Sequence, residues 1–445
     1  MTAMSTSVEL PETIALQARF LEQILEGYGP RDFAVEFWDG SRIDPANGKA
    51  PRFTLQLNHE GALRQAFWPR NKMAFGEAYI YGDIDILGDA DALFQSLVHI
   101  HQQPRSVAVK AELYEQLLKM PDEARPRPEK AAPLSGEQRT RQRDKQAIEH
   151  AYDGPPSEFY ALLLGKAMQY TCGYFQRPDE DIDTAQDRKL DYICRKLRLA
   201  AGERLIDFGC GWGGLIAFAA KNYGVQAVGV SISKAQIKWA NRTIEAQGLQ
   251  DRCQIVYCDY RDFPETERFD KAVSVGFIEH LGEKMMPTFF GKVWRLLKDS
   301  GLYLHHGITA TPNVPEPPWK PFALKYVFPD GEIVPITNTL HQLALAGFEI
   351  RDVESLREHY IYTLQRWLEL LEANREAATR LTDEVNYRIF RIYFAGAIQG
   401  FRYGMYNLNQ SLVLKGGDKP APLPLTREDL YAQPAMRTWQ AKPGK

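Results

Sequence analysis

The chain has 445 residues, which is enough for two or three domains that each bury a core of their own. Its net charge of −3 argues against nucleic acid as a partner, because neutralising phosphates requires a clear excess of lysine and arginine. Five cysteines without a C-x-x-C pair indicate reduced thiols in a cytosolic protein, and no stretch has the signal-peptide pattern or the ~18 apolar residues of a membrane-spanning helix.

Residues 1–120 predict a first domain that mixes helices and strands. A helix from Ile14 to Leu25 comes before an alternating strand at Phe53–Leu57, and a second apolar helix runs from Leu93 to Ile100. Nothing in this domain has the residue types or spacing of a catalytic centre.

Residues 121–147 are rich in proline and charge, which is typical of a linker. We interpret the basic residues within it as a solvated cluster, and contact with a lipid headgroup is the alternative interpretation. This cluster consists of Arg139, Arg141, Arg143 and Lys145.

From residue 148 to about 415, strands alternate with helices, which predicts a doubly wound α/β sheet. The five predicted strands are Leu205–Phe208, Ala227–Val230, Gln254–Tyr257, Ala272–Val275 and Tyr303–His306. After residue 355 the pattern is helical and aromatic as far as Val413, and residues 416–445 resemble a Pro-rich tail.

The first of these strands leads directly into a glycine-rich turn. Gly209, Gly211 and Gly214 fit G-x-G-x-x-G and are followed by an apolar helix, a pattern that lets the backbone approach a nucleotide-like ligand. A dinucleotide site would carry an acidic residue at the end of the next strand, but that strand ends in Ser231. The sequence therefore favours S-adenosylmethionine (SAM) over a nicotinamide cofactor.

Polar residues at the ends of the later strands predict the reacting part of the site. Glu279 follows the fourth strand, and His305 and His306 end the fifth, so a carboxyl group and an imidazole are expected to face one cleft. Upstream, the aromatic segment 168–175 is expected to cover the cofactor as a lid.

Taken together and in order, these motifs resemble the cyclopropane-fatty-acyl-phospholipid synthase family from about residue 20 to about residue 413. The resemblance is carried by Tyr170–Phe175, similar to the family's Y-S-C-A-Y-[FW], by Gly209–Gly213, by Gly229–Gln236 and by Glu279–Gly282. The strand with His306 and Ile308 and the run Phe328–Gly331 add to it.

The resemblance implies a class I SAM-methyltransferase (Rossmann-like) domain with an N-terminal α+β lipid-binding and dimerisation domain and a C-terminal helical elaboration. The implied catalytic residues hold a bicarbonate base, and no metal is implied because no third ligand accompanies Glu279 and His306. These residues are Cys172, Glu279, His306, Ile308 through its backbone, and Tyr360, with Tyr362 as a rival for the last role. The implied cofactor residues are Tyr170, Thr171, Gly209, Gly211, Ser231, Gln236, Asp259 and Tyr260.

The implied reaction adds a methylene carbon from SAM to a cis double bond in an unsaturated phospholipid at the inner face of the cell membrane, by a peripheral cytoplasmic homodimer. Tyr174, Phe175, Phe277 and Tyr360 are candidates to stabilise a carbocation on the acyl chain. A methylene- or methyl-branched product stays open, because it differs only in which proton is lost. Methylation of a small amine or natural product, or a catalytically silent lipid-binding protein, are further alternatives.

Overall fold

In the computed structural model, residues 11–68, 71–417, 423–432 and 437–439 are described. The chain divides into two compact units. Unit 1 comprises residues 1–130, 318–322 and 384–399, and unit 2 comprises residues 131–317, 323–383 and 400–445. The predicted boundary at residue 120 and the continuous domain from 148 to 415 differ from this division, because unit 1 includes two later segments that local periodicity cannot assign.

The first part of the chain alternates short strands with helices. Its elements are α1 (Glu12–Ile24), β1 (Ala34–Glu36), β2 (Arg42–Ile43), β3 (Phe53–Leu57), α2 (Ala62–Phe67), α3 (Ala74–Ile80), β4 (Ile84–Gly88), α4 (Ala90–Gln102) and α5 (Val107–Lys119). The four strands form one sheet in the order β2-β1-β3-β4. The expected helices near residues 14–25 and 93–100 and the strand at Phe53–Leu57 are confirmed.

The rest of the chain supplies a larger sheet and its covering helices. These elements are α6 (Arg141–Ile148), a π-helical turn (Glu149–Asp153), α7 (Ser157–Ala161), α8 (Ile182–Lys196), β5 (Arg204–Phe208), α9 (Gly214–Tyr223), β6 (Gln226–Ser231), α10 (Lys234–Ala246), β7 (Cys253–Tyr257), β8 (Phe269–Val275), α11 (Ile278–Leu281), α12 (Met286–Leu296), β9 (Leu297–Ala310), α13 (Lys320–Tyr326), α14 (Ile336–Leu345), β10 (Phe348–Ser355), α15 (Arg357–Ala373), α16 (Arg375–Leu381), α17 (Glu384–Arg402), β11 (Tyr406–Lys415) and α18 (Glu428–Tyr431). Short 3-10 turns occur at Tyr260–Asp262 and Glu283–Met285.

Unit 2 contains a seven-stranded sheet in the order β10-β11-β9-β8-β5-β6-β7. Strands β5 to β9 run parallel to one another and correspond to the five predicted strands, so the doubly wound α/β prediction is confirmed. Strand β5 lies between β6 and β8, and the chain therefore reverses its winding direction there. Ligands of open α/β sheets bind at such a point, beyond the carboxyl ends of the strands.

The predicted helix reaching Val413 is wrong over its last part, because residues Tyr406–Lys415 form β11. This strand pairs antiparallel with β9 on one side and with β10 on the other. Its residues Leu408–Lys415 are buried, so the strand lacks the polar and apolar alternation that identifies a half-buried strand in sequence.

The charged stretch 121–147 is largely exposed, but ion pairs hold several of its arginines. In unit 1, buried Asp83 accepts hydrogen bonds from the Arg125 backbone N–H at 2.6 Å and from Arg127 at 3.1 Å. In unit 2, Arg139 pairs with Glu332 at 2.8 Å and Arg143 with Asp330 at 2.5 Å. The stretch ends in helix α6, whose cap is the Thr140 hydroxyl.

The C-terminal tail is packed where it is described. Leu430 is buried, and its carbonyl accepts a hydrogen bond from Arg195 at 2.9 Å. Residues 418–422, 433–436 and 440–445 lie outside the described part of the chain, so the prediction of a Pro-rich tail is not tested there. Over the described residues, no helix combines the length and apolar character needed to cross a membrane.

Candidate cofactor and catalytic site

The glycine turn connects β5 to α9 and requires glycine for two different reasons. Gly209 has a φ of +75°, and a Cβ there would lie 2.6 Å from the Phe277 ring. Gly214 begins α9, and a Cβ on it would lie 2.2 Å from the Ala167 carbonyl oxygen and 2.3 Å from the Gln169 amide nitrogen. The turn is therefore tightly covered on two sides, by the residues after β8 and by the segment before Tyr170.

A pocket opens at this turn, at the carboxyl ends of β5, β6 and β8. Its lining includes all eight residues expected to bind the cofactor, which are Tyr170, Thr171, Gly209, Gly211, Ser231, Gln236, Asp259 and Tyr260. The Ser231 hydroxyl donates a hydrogen bond to the Gln236 side-chain oxygen at 3.3 Å. The two side chains therefore form a polar edge at the end of β6, where a dinucleotide site would carry an acidic residue.

Asp259 is held by ion pairs and Tyr260 by ring contacts. Arg261 contacts the Asp259 carboxylate at 2.5 Å and that of Asp144 in α6 at 2.9 Å. Although burial alone raises the pKa of Asp259, the hydrogen bonds from Arg261 lower it overall. Tyr260 packs edge-on against Phe277 at 5.8 Å between ring centres.

Several pocket residues were not anticipated from the sequence. The Tyr152 hydroxyl and His280 Nε2 share a hydrogen bond of 2.8 Å. Burial lowers the pKa of His280 to about 4, so this imidazole is neutral near pH 7. Asp207 is 3% exposed and lines the pocket. Together with Gly209 and Gly211 it forms an Asp-x-Gly-x-Gly pattern in the sequence. That pattern could have identified Asp207, whereas neither Tyr152 nor His280 has a distinctive sequence signal.

Glu279 and Ile308 are joined directly. The Ile308 backbone N–H donates to Glu279 Oε1 at 2.6 Å, while Oε2 is buried with no hydrogen-bond partner among the described residues. Burial raises the pKa of Glu279 to about 7, so near neutral pH a substantial fraction of this carboxyl group is protonated.

His306 lies two residues before Ile308 on β9 and is therefore on the same face of the strand. Its Nδ1 accepts from the Gln410 side-chain amide of β11 at 3.1 Å, which leaves the proton on Nε2. That Nε2 is buried without a partner in the described structure. Burial lowers the pKa of His306 well below its ordinary value, so the ring is neutral. His305 points to Ser274 instead, at 3.4 Å.

Cys172 belongs to a neighbouring group built on α15. Its Sγ lies 3.1 Å from the Gly173 carbonyl oxygen and 3.7 Å from the Thr363 hydroxyl. Burial raises the pKa of the Cys172 thiol to about 12, so it is not a thiolate. Tyr360 shares the buried face of α15 with Thr363, whereas the Tyr362 ring packs against Phe175 at 5.7 Å between ring centres.

The five expected catalytic residues do not line the cofactor pocket as the structure describes it. Their chain neighbours Thr171, Gly276, Phe277 and His280 do, so the two sites are adjacent. The expected lid is also divided, because Tyr174 and Phe175 line a different cavity and Tyr174 stacks on His359 at 4.5 Å. Of the expected aromatic residues, Phe277 faces the cofactor pocket, together with Tyr152 and Trp212.

The comparisons with known proteins agree with this geometry. The family described as mycolic acid cyclopropane synthetase matches residues 139–411. The chain belongs to this cyclopropane synthase family. A domain of unknown function matches residues 20–106.

Several relatives of the chain have names that describe methylation of lipids. A probable fatty acid methyltransferase of Pseudomonas putida is 37% identical over 89% of this chain and 95% of the relative. A sphingolipid C9-methyltransferase of Gibberella zeae is 32% identical over 62% of this chain and 55% of the relative. A solved structure, that of a mycolic acid cyclopropane synthase complexed with S-adenosylhomocysteine (SAH) and CTAB, matches 61% of this chain and 98% of its own chain. The sequence identity is 30% and the TM-score is 0.58. The chain is thus a SAM-dependent lipid methyltransferase of the cyclopropane synthase family.

The residues that line the pocket are chemically suited to SAM. The Asp207 carboxylate is buried, and its Oδ1 has no partner among the described residues, which suits the cationic amino group of a methionyl moiety. Because the glycines of the turn have no side chains, the methionyl moiety can approach their backbone closely. The hydroxyl of Ser231 and the side-chain amide of Gln236 suit the ribose hydroxyls. Within the described residues, no group of three or more His, Cys, Asp or Glu side chains could hold a metal ion.

The contact between Gly214 and the 167–169 segment predicts the effect of one methyl group. Gly214→Ala forces the Ala167 carbonyl and the Gln169 side chain outward, so we expect at least about tenfold weaker SAH binding and a stability loss of about 1–3 kcal/mol. Gly291→Ala in α12 is the matched control, because its Cβ would meet only the Arg295 guanidinium, at 3.2 Å. Calorimetric SAH titration and thermal unfolding measure both variants, and equal behaviour of the two would contradict the close approach.

Proposed function

We propose that this methyltransferase forms a cyclopropane ring on the cis double bond of an unsaturated phospholipid acyl chain, with a bound bicarbonate ion as the base. The observation that carries the proposal is a pair of unpartnered buried polar atoms, Glu279 Oε2 and His306 Nε2. Leaving such groups unpaired in a folded protein costs about 1–3 kcal/mol each, so their persistence in one region points to a ligand.

Both atoms can donate a hydrogen bond. Burial leaves a substantial fraction of Glu279 protonated near neutral pH, and with Oε1 accepting from Ile308 that proton belongs on Oε2. The His306 proton belongs on Nε2 because Nδ1 accepts from Gln410. Two donors without a competing negative charge suit a small anion, and the neutral Cys172 thiol adds no charge to repel it.

The reaction needs a base because an alkene that takes up a methyl group becomes a carbocation. When SAM is bound, its sulfonium would supply the electrophilic methyl group. The alkene π electrons would form the new bond to the methyl carbon as the S–CH3 bond breaks, with SAH as the leaving group. Loss of a proton from the new methyl group then provides the electron pair that closes the ring. Phe277, Tyr152 and Trp212 line the pocket with electron-rich ring faces that can stabilise the cation.

A branched product is the second candidate. The fungal sphingolipid C9-methyltransferases are relatives by sequence, and their name describes methylation rather than ring formation. The same carbocation gives a branch when the proton is lost from the acyl chain instead of the new methyl group. The choice depends on where the base stands relative to these protons.

The substrate would be met at the inner face of the cell membrane, with the chain as a peripheral protein. Unit 1 is the part proposed to contact lipid and to form a homodimer. Direct methylation of a small molecule is a weaker proposal, because it gives no role to the unpartnered Glu279 and His306 atoms.

Mass spectrometry of acyl chains tests the proposal directly. Purified full chain is incubated with SAM and vesicles of mono-unsaturated phospholipid, in CO2-free buffer with or without added bicarbonate. We expect a gain of one CH2 that depends on bicarbonate, and an NMR spectrum of the product that shows a ring. Vesicles of fully saturated phospholipid are the control. A branch in the NMR spectrum would select the second candidate, and no gain despite SAH binding would exclude both.

Glu279→Gln separates donation of a hydrogen bond from exchange of a proton. The amide keeps the contact with the Ile308 N–H and can still donate a hydrogen bond, but it cannot release a proton to the base or take one back from it. We expect SAH binding within about twofold of wild type and turnover reduced by about 10²-fold or more. Wild-type turnover in the same lipid assay would show that Glu279 acts only as a donor.

Removing single hydroxyl groups from α15 distinguishes the two tyrosines. Tyr360→Phe should lower turnover by about tenfold, the loss expected for one hydrogen bond near the base, without changing the fold. Tyr362→Phe is the matched control on the same helix, and its ring contact with Phe175 does not need the hydroxyl. Turnover and near-UV circular dichroism of both variants provide the measurement, and the reverse ranking would assign the role to Tyr362.

A further inference from the structure

Lys189 is a buried cation beside the cofactor pocket that the reaction as described does not use. It lies on α8 and is 1% exposed. Its ammonium donates to Gln169 Oε1 at 2.7 Å and to Thr171 Oγ1 at 2.9 Å. Both acceptors are uncharged, and no carboxylate lies within ion-pair distance of Lys189 in the described part of the chain. A buried ammonium is costly unless its charge is compensated, so its place here requires a reason.

Three of the groups around Lys189 belong to the cofactor pocket. Gln169 and Thr171 stand on either side of Tyr170, and all three line it. Asp207 at the end of β5 lines it as well. Burial raises the pKa of Asp207, and the positive charge of Lys189 opposes that rise. Burial lowers the pKa of Lys189, and Asp207 is among the groups that oppose this.

The other titratable groups around this pair carry little charge. Cys172 and His306 face Lys189, while Cys210 and Tyr303 face Asp207. Burial raises the pKa values of the two thiols and the phenol and lowers that of the imidazole, so each is neutral near pH 7. Asp207 and Lys189, each with a pKa of about 7, are therefore the groups of this neighbourhood whose charge changes near neutral pH.

We propose that Lys189 is a positioning residue for SAM, which holds Gln169 and Thr171 against the pocket and faces Asp207, the residue that would receive the cofactor's amino group. The proposal depends on cofactor binding and not on the lipid or on the ring-forming step. An ionised Asp207 attracts the cationic amino group, whereas a protonated Asp207 does not. Affinity should therefore rise as pH increases through the Asp207 pKa, and loss of Lys189 should move that rise to higher pH.

Calorimetric titration with SAH from pH 5.5 to 8.5 tests this without any lipid. Lys189→Met should weaken binding by about tenfold at pH 7 and shift the midpoint of the affinity profile upward by about one pH unit, since one pKa unit corresponds to a factor of ten. Lys196→Met is the matched control, because Lys196 is equally buried on the same helix but pairs with Glu354. Its midpoint should equal that of wild type.

Two further variants separate charge from shape and guard against misfolding of Lys189→Met. Lys189→Gln keeps a hydrogen-bond donor without the charge and should show the same upward shift, while Lys189→Arg should restore a midpoint near wild type. In an Asp207→Asn background the pH-dependent rise should disappear, and Lys189→Gln should then cause no further shift. An unchanged midpoint in Lys189→Gln, or an equal shift in Lys196→Met, would overturn the proposal. Because only SAH is used, this outcome is independent of whether phospholipid is the substrate.

Discussion

The parallel pairing of β5 with β8 is the constraint on which the site depends. It places the carboxyl ends of two strands that are far apart in sequence side by side, in register from Leu205 opposite Lys271 to Phe208 opposite Ser274. One strand then delivers the glycine turn and the other delivers Phe277 and Glu279. The close approach of Phe277 to Gly209 follows from this pairing. A cofactor pocket and a neighbouring polar group therefore arise from one edge of one sheet.

Burial controls the electrostatics of that edge more than ion pairing does. It raises the pKa of Cys172 and lowers those of His280 and His306, so the thiol and both imidazoles are neutral near pH 7. It also raises the pKa of Glu279 to about 7, so that a substantial fraction of this carboxyl group is protonated there. Chemistry that passes through a carbocation benefits from such a surrounding, because ionised nucleophiles and water would capture the cation. The charged pairs of Arg261 with Asp144 and Asp259 lie at the rim of the pocket instead.

The sequence predicted the elements that have a strong local signal. The apolar runs before Gly209 and Gly276 identified β5 and β8, and the serine at position 231 distinguished SAM from a nicotinamide cofactor. All eight expected cofactor residues line one pocket. Six of them lie at or just after the ends of β5, β6 and β7, whose order is fixed by the fold, whereas Tyr170 and Thr171 lie in the segment before α8. The catalytic set follows from family resemblance, and its roles stay predictions.

Features that depend on distant partners could not be predicted in this way. Strand β11 was taken for helix because it is buried along both sides, and its partners lie about a hundred residues earlier on β9. The roles of Arg139 and Arg143 depend on Glu332 and Asp330, far along the chain. Lys189 looked like one more charged residue on an amphipathic helix, and only its burial against Gln169 and Thr171 distinguishes it.

The position of β11 between β9 and β10 has a consequence for how the protein is made. During synthesis β9 emerges with one edge unpaired, and it keeps that edge until residues 406–415 have left the ribosome. Gln410, which orients His306, arrives with this last strand, so the imidazole has no fixed orientation before it. An exposed, apolar strand edge promotes aggregation, so interrupted synthesis or truncation ahead of residue 406 leaves a chain that is prone to aggregate and lacks an ordered site.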